Sequence, residues 1–414
     1  MTSLAPADTA ERATAGRREF VAIVTTMMAM GAMAIDLMMP TFADLRTDYG
    51  LAADDGRVGW VVTSFFFGLA LGPWLYGPAS DRFGRRPPLY AGLTLYLICS
   101  LAAAMAPSLA VMLIIRFIWG LGAGASRVLS MALVRDRYEG DGMARLMSLI
   151  MAVFLLVPIL SPALGALINA FAPWRVVFAM PSLMAVGLML WCRRLPETLP
   201  PERRRPLTRA ALADAVRASA NRTTMCCTLA VMFLFGMMTT YLSGFELILH
   251  GTYDRAGLFP ILFGAIGVLL AGASLISARM VRMMGMVTLL RRVSWLGIAT
   301  SGLFLIVSIT GDGVPSIWVL TALLASVVPV VQGLIPNANT LAMQPVPHVA
   351  GTASALIGTI TTGGGAAIGM IVTSAYDGTA RPMAVGLAVC MVTAFMFVRL
   401  ASPAPASPPV HEHV

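Results

Sequence analysis

GPASDRFGRR, residues 77–86, is a short cationic stretch between two long apolar runs. Short cationic loops between membrane spans normally face the cytoplasm. This stretch also has a fixed layout of glycines and charges, formed by Gly77, Asp81, Arg82, Gly84, Arg85 and Arg86. It therefore predicts a membrane protein in which one cytoplasmic loop has a defined structure.

The rest of the chain is apolar enough to lie in a bilayer. Of 414 residues, 58% are hydrophobic and 12% are charged, and the mean hydropathy is +0.80. Apolar runs near the roughly 20 residues that a bilayer requires must be helical, because lipid offers no water to satisfy an open backbone. Twelve such spans are predicted, at about 20–41, 58–80, 89–107, 109–134, 146–170, 174–192, 225–248, 257–280, 288–310, 315–339, 350–374 and 381–401. The sequence thus predicts an all-α membrane protein with twelve transmembrane helices.

The basic residues set the expected orientation. All 29 are arginines, and with the N-terminus inside, 22 of them lie in cytoplasmic segments and two, Arg116 and Arg127, lie within a span. The five on the outer side are Arg46, Arg57, Arg175, Arg255 and Arg381. This bias predicts two cytoplasmic termini. The absence of lysine is typical of a GC-rich bacterial genome, and the expected location is a bacterial inner membrane. Because the arginines are dispersed over several loops, the net charge of +9 does not indicate nucleic-acid binding.

The longest internal hydrophilic segment divides the chain into two sets of six spans. The predicted organisation is a cytoplasmic tail at 1–19, a six-helix bundle at 20–192, a linker at 193–224, a second six-helix bundle at 225–401 and a cytoplasmic tail at 402–414. The first tail has no apolar signal-peptide core, so the first span is expected to direct insertion. Within the linker, LTRAALADAVRAS is compatible with a short amphipathic helix on the inner surface and equally with a plain tether.

The two halves show faint internal similarity, as expected after duplication of an ancestral half. AIDLMMPTFADL around Asp36 corresponds to GFELILHGTYDR around Glu246. The loop at 77–86 corresponds to ARMVRMMG, residues 278–285, which keeps arginine and glycine but lacks the aspartate. The loop of the first half is therefore the specialised one.

Patterns typical of enzymes and metalloproteins are missing from the sequence. The five cysteines lie in or beside spans without metal or disulfide spacing, and the four histidines form no H-E-x-x-H motif. A Walker loop cannot exist without lysine, and no nucleophile with a neighbouring base stands out. We therefore expect no enzyme activity, no metal site, no cofactor and no direct use of ATP.

Together with the opening loop, several motifs resemble those of the major facilitator superfamily. RFIWGLGAGAS, residues 116–126, resembles the fourth-span motif of proton-coupled members, and VPILSPALG, residues 157–165, resembles the fifth-span antiporter motif with Ser-Pro in place of the usual Gly-Pro. IDLMMP, residues 35–40, resembles the first-span motif of twelve-span drug/proton antiporters. AGTASALIG, residues 350–358, resembles the eleventh span of the bicyclomycin/chloramphenicol resistance branch. The resemblance covers nearly the whole chain.

This resemblance implies a major facilitator fold of two six-helix bundles and a secondary transporter that works by alternating access. The implied activity is proton-coupled efflux of hydrophobic or amphiphilic drugs, with antibiotic resistance as the consequence. The expected partners are protons, the lipid bilayer and small hydrophobic, neutral or cationic drug-like molecules, and we expect a monomer. Three other functions stay open: import, export of one metabolite, and a membrane sensor or partner-binding subunit that does not transport.

Two ionisable residues within the spans are candidates for proton coupling. A charged group in the membrane costs roughly 2.5–3.5 kcal/mol on insertion scales, so it is retained when paired, hydrated or functional. Asp36 lies about 24 Å from the inner end of the first span, and Arg116 about 10 Å below the outer surface, so both fall at a similar depth. A carboxylate near a fixed cation suits a proton-linked switch, and a permanent structural ion pair is the alternative.

Two further charged residues have competing interpretations. Glu246 is either a second proton or cation site that mirrors Asp36 or a residue at the outer interface. Arg127 lies three helical turns after Arg116 on the same face, close to the cytoplasmic headgroups, where its side chain is expected to snorkel.

The opening loop and the fifth span complete the predicted site. The family resemblance implies that the loop locks the cytoplasmic side between the halves, with Asp81 placed near the amino end of another helix, for which Gly351 to Ser354 are a plausible receiver. A loop that only sets topology is the alternative. The predicted antiporter motif consists of Pro158, Ser161, Pro162 and Gly165, and its prolines are expected to kink the fifth span.

Overall fold

The structure is a computed structural model that describes residues 16–138, 156–204, 219–346 and 349–401, with residue 217 and isolated positions between 140 and 150. All regular elements of these residues are α-helices or short 3-10 helices. The predicted amphipathic helix of the linker and the C-terminal tail lie outside the described residues, as does most of the N-terminal tail.

Thirteen α-helices of at least seven residues follow one another in the described chain. They are α1 (Arg17–Asp36), α2 (Phe42–Asp48), α3 (Trp60–Phe83), α4 (Arg86–Ala104), α5 (Leu109–Arg137), α6 (Val157–Phe171), α7 (Trp174–Trp191), α8 (Arg222–Gly251), α9 (Phe259–Met284), α10 (Met286–Thr310), α11 (Ile317–Met343), α12 (Ala350–Ser374) and α13 (Arg381–Leu400).

Eleven helical segments of the described residues are long and apolar enough to cross a membrane. The predicted fifth span is represented by α6, which has 15 residues in the described part of the chain. Several helices extend three or four residues beyond the predicted spans, among them α3, α5, α9 and α11. The last turns of α3, α5 and α9 carry arginine, which a hydropathy pattern excludes but which a helix tolerates once the side chain reaches hydrated headgroups.

The first span differs from the predicted 20–41 because it is longer and broken. α1 ends at Asp36, a 3-10 turn follows over Met39–Thr41, and α2 continues to Asp48. Pro40 lies in the 3-10 turn, and proline removes a backbone N–H and prevents a regular α-helix from running through it. The break places Asp36 at the end of a helix instead of in its interior.

Glycines allow α3 and α5 to cross with their backbones in contact. A Cβ atom added at Gly68 would lie 1.9 Å from the Phe117 carbonyl oxygen, and one added at Gly120 would lie 2.0 Å from the Phe65 carbonyl oxygen. One turn further on, a Cβ at Gly72 would lie 2.7 Å from the Gly124 Cα. Small residues that let backbones approach are a common basis of helix packing in membranes. The glycines of α5 therefore serve packing.

The second half contains a corresponding contact between α8 and α12. A Cβ added at Gly365 would lie 3.0 Å from the Gly236 backbone nitrogen, and one added at Gly369 would lie 2.5 Å from Thr239 Oγ1. The duplicated loops also match, because Gly84 between α3 and α4 has φ +91° and Gly285 between α9 and α10 has φ +77°. Both values favour glycine, which has no Cβ to clash. The sequence similarity between the halves thus has a counterpart in backbone geometry.

The close crossing of α3 and α5 should make the stability of the protein sensitive to one added methyl group. Gly120→Ala should lower the stability of the protein by about 1–3 kcal/mol or prevent folding, because the added carbon overlaps a backbone oxygen that cannot move away alone. The measurement is the thermal midpoint in detergent, followed by size-exclusion chromatography. Gly187→Ala in α7 is the control, since nothing lies within 4 Å of its added Cβ. Equal midpoints for both variants would contradict the packing described above.

Candidate functional site

A cavity of about 410 Å³ lies between the first and second halves of the chain. One wall is formed by α3 and α5, and the opposite wall by residues of α12 such as Gly351, Ala355 and Thr362. The cavity opens at the end of the molecule that carries Asp81 and Arg135, called the Asp81 end below. This shape is that of a binding site entered from one side.

The opposite end, called the Arg46 end, is closed by a buried ion pair between the halves. Arg46 of α2 donates to both carboxylate oxygens of Glu246 in α8, with Nη1–Oε1 and Nη2–Oε2 distances of 3.0 and 2.8 Å. Both side chains are only 2% exposed. Paired, bidentate hydrogen bonds of this kind are among the strongest between side chains. The Glu246 carboxylate is thus engaged between the halves, and its partner Arg46 was missed in the sequence.

Close backbone contacts reinforce the closure at this end. Trp60 Nε1 donates to Ser374 Oγ at 3.0 Å, and a Cβ added at Gly56 would lie 2.4 Å from the Thr373 carbonyl oxygen. Beside them, hydrogen bonds from Arg57 lower the pKa of the Asp55 carboxyl, and the positive charge of Arg46 lowers it further. The Arg46 end is therefore sealed by packing as well as by charge.

A polar contact near the middle of α12 separates the cavity from the closed end. Trp74 Nε1 donates to Thr359 Oγ1 at 2.7 Å, and Thr359 Oγ1 donates to the Ala70 carbonyl oxygen at 2.6 Å. Phe66 and Phe235 meet edge to face nearby, with ring centroids 5.2 Å apart. These contacts join α3 to α12 and to α8, so the halves touch at the centre while the Asp81 end is open.

Asp36 is an isolated carboxylate in the interior. Its exposed fraction is 4%, and it makes no hydrogen bond or ion pair with any residue that the structure describes. Tyr241 Oη of α8 is also buried without a hydrogen-bond partner in the described part of the chain. An unpaired acid of this kind costs free energy in a membrane unless it has a function.

Arg116 is fully buried but does not pair with Asp36. Its Nε donates to the Val61 carbonyl oxygen at 3.0 Å, and its Nη1 donates to the Ala34 carbonyl oxygen at 2.9 Å. The guanidinium also lies over the rings of Phe65 and Trp119, at 4.5 and 4.9 Å from their centroids. The permanent ion pair considered for Asp36 and Arg116 is therefore absent from the described residues, although Arg116 holds α1 two residues before Asp36.

The motif of α6 packs against the break that follows Asp36. Ser161, Pro162 and Gly165 are buried, and a Cβ added at Gly165 would lie 1.9 Å from the Leu37 carbonyl oxygen. Pro158 lies in the first turn of the described helix, where a missing N–H leaves no hydrogen bond unmade, so only Pro162 occupies an interior position. On its other side α6 contacts α9, where Ile159 lies against Gly267. This helix connects the surroundings of Asp36 to the second half.

The predicted loop at 77–86 is mostly helical, because α3 continues to Phe83 and α4 begins at Arg86, and it is ordered by charges. Arg85 binds Asp81 with an Nη1–Oδ1 distance of 2.6 Å and Asp136 with an Nε–Oδ2 distance of 2.9 Å. Glu197 accepts hydrogen bonds from the backbone nitrogens of Arg85 and Arg86 at the amino end of α4. Asp136 and Glu197 were missed in the sequence, because their partners are more than 50 residues away.

Asp81 does not bind the amino end of α12 in this conformation. Asp81 and the residues Gly351, Thr352 and Ser354 all line the cavity, with the open space between them. Arg127 lines the same cavity, so it faces the space between the halves and not only the headgroups expected from its depth. Depth along a helix could be read from the sequence, whereas the direction of the side chain could not.

The fold and the cavity define a class of protein, namely a polytopic membrane transporter with a central site closed at one end. Residues 21–370 match the sequence pattern of the Major Facilitator Superfamily, and the chain therefore belongs to that family. This is a family of transporters and not of enzymes, as the sequence predicted.

Two curated relatives and one solved structure illustrate the relationship. The chain is 31% identical over 396 residues to the uncharacterized MFS-type transporter YdgK of Bacillus subtilis, covering 92% of this chain and 94% of that protein. It is 28% identical over 381 residues to a bicyclomycin resistance protein homolog of Haemophilus influenzae, covering 90% and 93%. The xylose transporter XylE from E. coli, in a partially occluded inward open conformation, shares the fold with a TM-score of 0.71 at 15% identity, covering 92% of this chain and 96% of XylE. The predicted resemblance to the drug-resistance branch is thus confirmed.

The buried ion pair predicts a specific opening of the Arg46 end. Glu246→Gln should expose the interface there, because removing one partner of a buried pair costs about 3–5 kcal/mol. In a cysteine-free protein in detergent, the rate at which N-ethylmaleimide labels Thr373→Cys should rise by at least about tenfold. Thr373 is 4% exposed in the closed arrangement.

Two matched variants control this experiment. Arg57→Gln removes a charge from an exposed pair at the same end and should leave labelling nearly unchanged, since such pairs contribute about 0–1 kcal/mol. The exchange of Arg46→Glu with Glu246→Arg should restore slow labelling. If Glu246→Gln labels as slowly as the parent protein, the pair does not hold this end closed.

Proposed function

We propose that the protein is a proton-coupled drug efflux transporter that works by alternating access. The observation that carries the proposal is the unpaired, buried Asp36 carboxylate between an end sealed by Arg46–Glu246 and a cavity open at the other end. A group that can bind and release a proton then lies where access changes from one side of the membrane to the other.

The distribution of arginine supports an inward-facing assignment of this conformation. The loop at 77–86 and most other basic residues belong to the Asp81 end, whereas Arg46 lies at the end with few arginines. On this basis the Asp81 end is cytoplasmic, both termini are cytoplasmic, and the protein resides in a bacterial inner membrane. We propose a monomer with bundles at 20–192 and 225–401, joined by the linker at 193–224.

The names of relatives support the class of substrate. The bicyclomycin resistance protein homolog of Haemophilus influenzae aligns over 90% of this chain. The cavity wall is largely apolar, with Leu69, Pro73, Trp74 and Met131 among its residues, which suits hydrophobic or amphiphilic molecules. Capture of such a molecule from the cytoplasm and release outside would be efflux.

Asp36 is the proposed proton carrier of this cycle. A carboxyl group that alternates between a dry and a hydrated environment binds a proton in the first and releases it in the second. Arg116 holds the backbone of α1 next to Asp36, and α6 packs on Leu37 directly after it. Movement of these helices during opening would change the hydration of Asp36. Glu246 has a different role in this scheme, because its carboxylate closes the outer end.

The proposed proton carrier gives the central test of this function. Asp36→Asn should reduce proton-gradient-driven efflux of an antibiotic or dye from vesicles to the background rate, because the amide keeps the size of the side chain but cannot exchange a proton. Membrane insertion and thermal stability should be retained. Asp54→Asn, which changes an exposed carboxylate in an outer loop, should transport normally. Full pH-dependent efflux by Asp36→Asn would remove this residue from the mechanism.

The loop at 77–86 is proposed to close the cytoplasmic end in the outward-facing state. Asp81 would leave Arg85 and dock at the amino end of α12, where backbone N–H groups and the helix dipole favour a carboxylate. Asp81 is 55% exposed at the open cavity, so its pair with Arg85 is accessible to water and less costly to break than a buried pair.

This proposal predicts that Asp81→Ala shifts the protein toward the inward-open state. Maleimide labelling of Met131→Cys, which lies on the cavity wall, should increase in membrane vesicles, and efflux should fall. Glu202→Ala removes another exposed carboxylate from the cytoplasmic linker and is the control. Unchanged labelling together with unchanged efflux would favour a loop that only sets topology.

A further inference from the structure

We propose that Arg127 forms an anion-binding subsite in the cavity and that the preferred ligands are amphiphilic carboxylates. The inference rests on the proposed transport function and specifies its substrate class. It differs from the sequence-based expectation of neutral or cationic molecules.

The cavity has an excess of positive charge near its wall. Among the described residues, the ionisable side chains of its lining are three arginines and one aspartate, namely Arg85, Arg127, Arg135 and Asp81. Arg85 is already engaged, since it pairs with Asp81 inside the cavity and with Asp136 beside it. Arg127 and Arg135 make no ion pair with any residue among those the structure describes. A ligand carboxylate would therefore supply the negative partner that Arg127 and Arg135 lack among the described residues.

Arg127 occupies the interior part of the cavity, and Arg135 lies nearer its mouth. Arg127 lies ten residues before the cytoplasmic end of α5, which corresponds to about 15 Å at 1.5 Å per residue. At this depth a free guanidinium in lipid would be costly, whereas in a hydrated cavity it remains available to a ligand. The position is thus suited to hold an anion inside the membrane and not only at its surface.

The opposite wall adds a second feature favourable to anions. α12 begins at Ala350, its N-cap residue Val349 supplies no side-chain hydrogen bond, and Gly351 and Thr352 in its first turn line the cavity. Unsatisfied backbone N–H groups and the positive end of the helix dipole attract negative charge. The amino end of α12 is also the proposed docking point of Asp81. While the cavity is open, a ligand carboxylate would occupy the place that Asp81 takes in the closed state.

The remaining wall fits the apolar part of such a ligand. Leu69, Pro73, Trp74, Val128 and Met131 line the same space as Arg127. Ligand pockets typically measure roughly 300–1,000 Å³, and this cavity of about 410 Å³ suits a molecule with one or two rings. A cationic amphiphile would meet the same apolar wall but would be repelled by Arg127 and Arg135.

Binding of a charged and an uncharged probe of equal shape tests the proposal. We would measure equilibrium binding of radiolabelled 2-naphthoate and competition by 2-naphthamide to the full-length protein in nanodiscs of phosphatidylcholine, without a proton gradient. The parent protein should bind naphthoate at least about tenfold more tightly than naphthamide, because only the carboxylate adds the attraction of opposite charges to the hydrogen bonds from Arg127. Arg127→Gln should remove this preference and leave the affinity for naphthamide within about twofold.

Two variants separate the subsite from general charge and from misfolding. Arg279→Gln removes an exposed arginine at the cytoplasmic end of α9, outside the cavity lining, and should leave the preference intact. Arg127→Lys keeps the positive charge and should retain most of the preference even if Arg127→Gln is unstable. Equal affinity of the parent protein for both probes, or an equal loss in Arg127→Gln and Arg279→Gln, would overturn the proposal.

Anionic lipid is the other source of the same chemistry, and a second arm of the experiment distinguishes it. Naphthoate binding should be unaffected when phosphatidylglycerol is added to the nanodiscs. If phosphatidylglycerol displaces naphthoate, the subsite belongs to lipid headgroups and the substrate assignment is wrong. Because no gradient is applied, a naphthoate preference without proton-driven efflux would contradict the proposed coupling and leave this subsite standing.

Discussion

The ion pair between Arg46 and Glu246 is the contact on which the conformation depends. It joins residues 200 positions apart in opposite halves of the chain and is almost fully buried. The attraction between the two charges offsets their desolvation only while both partners stay together, and breaking the pair leaves two uncompensated charges. The pair therefore acts as an all-or-none contact, and in the described residues the Arg46 end is closed while the cavity opens at the Asp81 end.

The remaining architecture confines movement to a few interfaces. Backbone contacts at Gly68, Gly72, Gly120 and Gly124 make α3 and α5 a rigid pair, and matching contacts join α8 to α12. Away from the Arg46–Glu246 pair, contacts between the halves include apolar packing such as Phe66 against Phe235 and single hydrogen bonds such as Trp74 to Thr359. Tight packing within each half, together with contacts between the halves that are concentrated at the Arg46 end and the centre, would allow the halves to move relative to each other once those contacts open. Asp36 lies at this boundary, beside the broken helix that α6 covers.

Hydropathy was sufficient to predict eleven of the spans, because the pattern is local, whereas most of the loop predicted at 77–86 is the last part of α3. The break after Asp36 could be anticipated only in part, since Pro40 signals an interruption but not the continuation as α2. Arg46 was missed because it reads as an ordinary loop residue, and its partner is visible only after folding. Arg127 was assigned to the headgroups from its depth, whereas the direction in which it points depends on how α5 packs against α3.

The most direct test of alternating access is a pair of spin-label distance measurements, one across each end of the molecule. Labels at Asp54 and Asp377 report the Arg46 end, and labels at Met131 and Ser354 report the cavity, all at exposed positions. Between acidic and alkaline pH the two distances should change in opposite directions, and in Asp36→Asn both should become independent of pH. Distances that change together, or a pH response that persists in Asp36→Asn, would contradict the account.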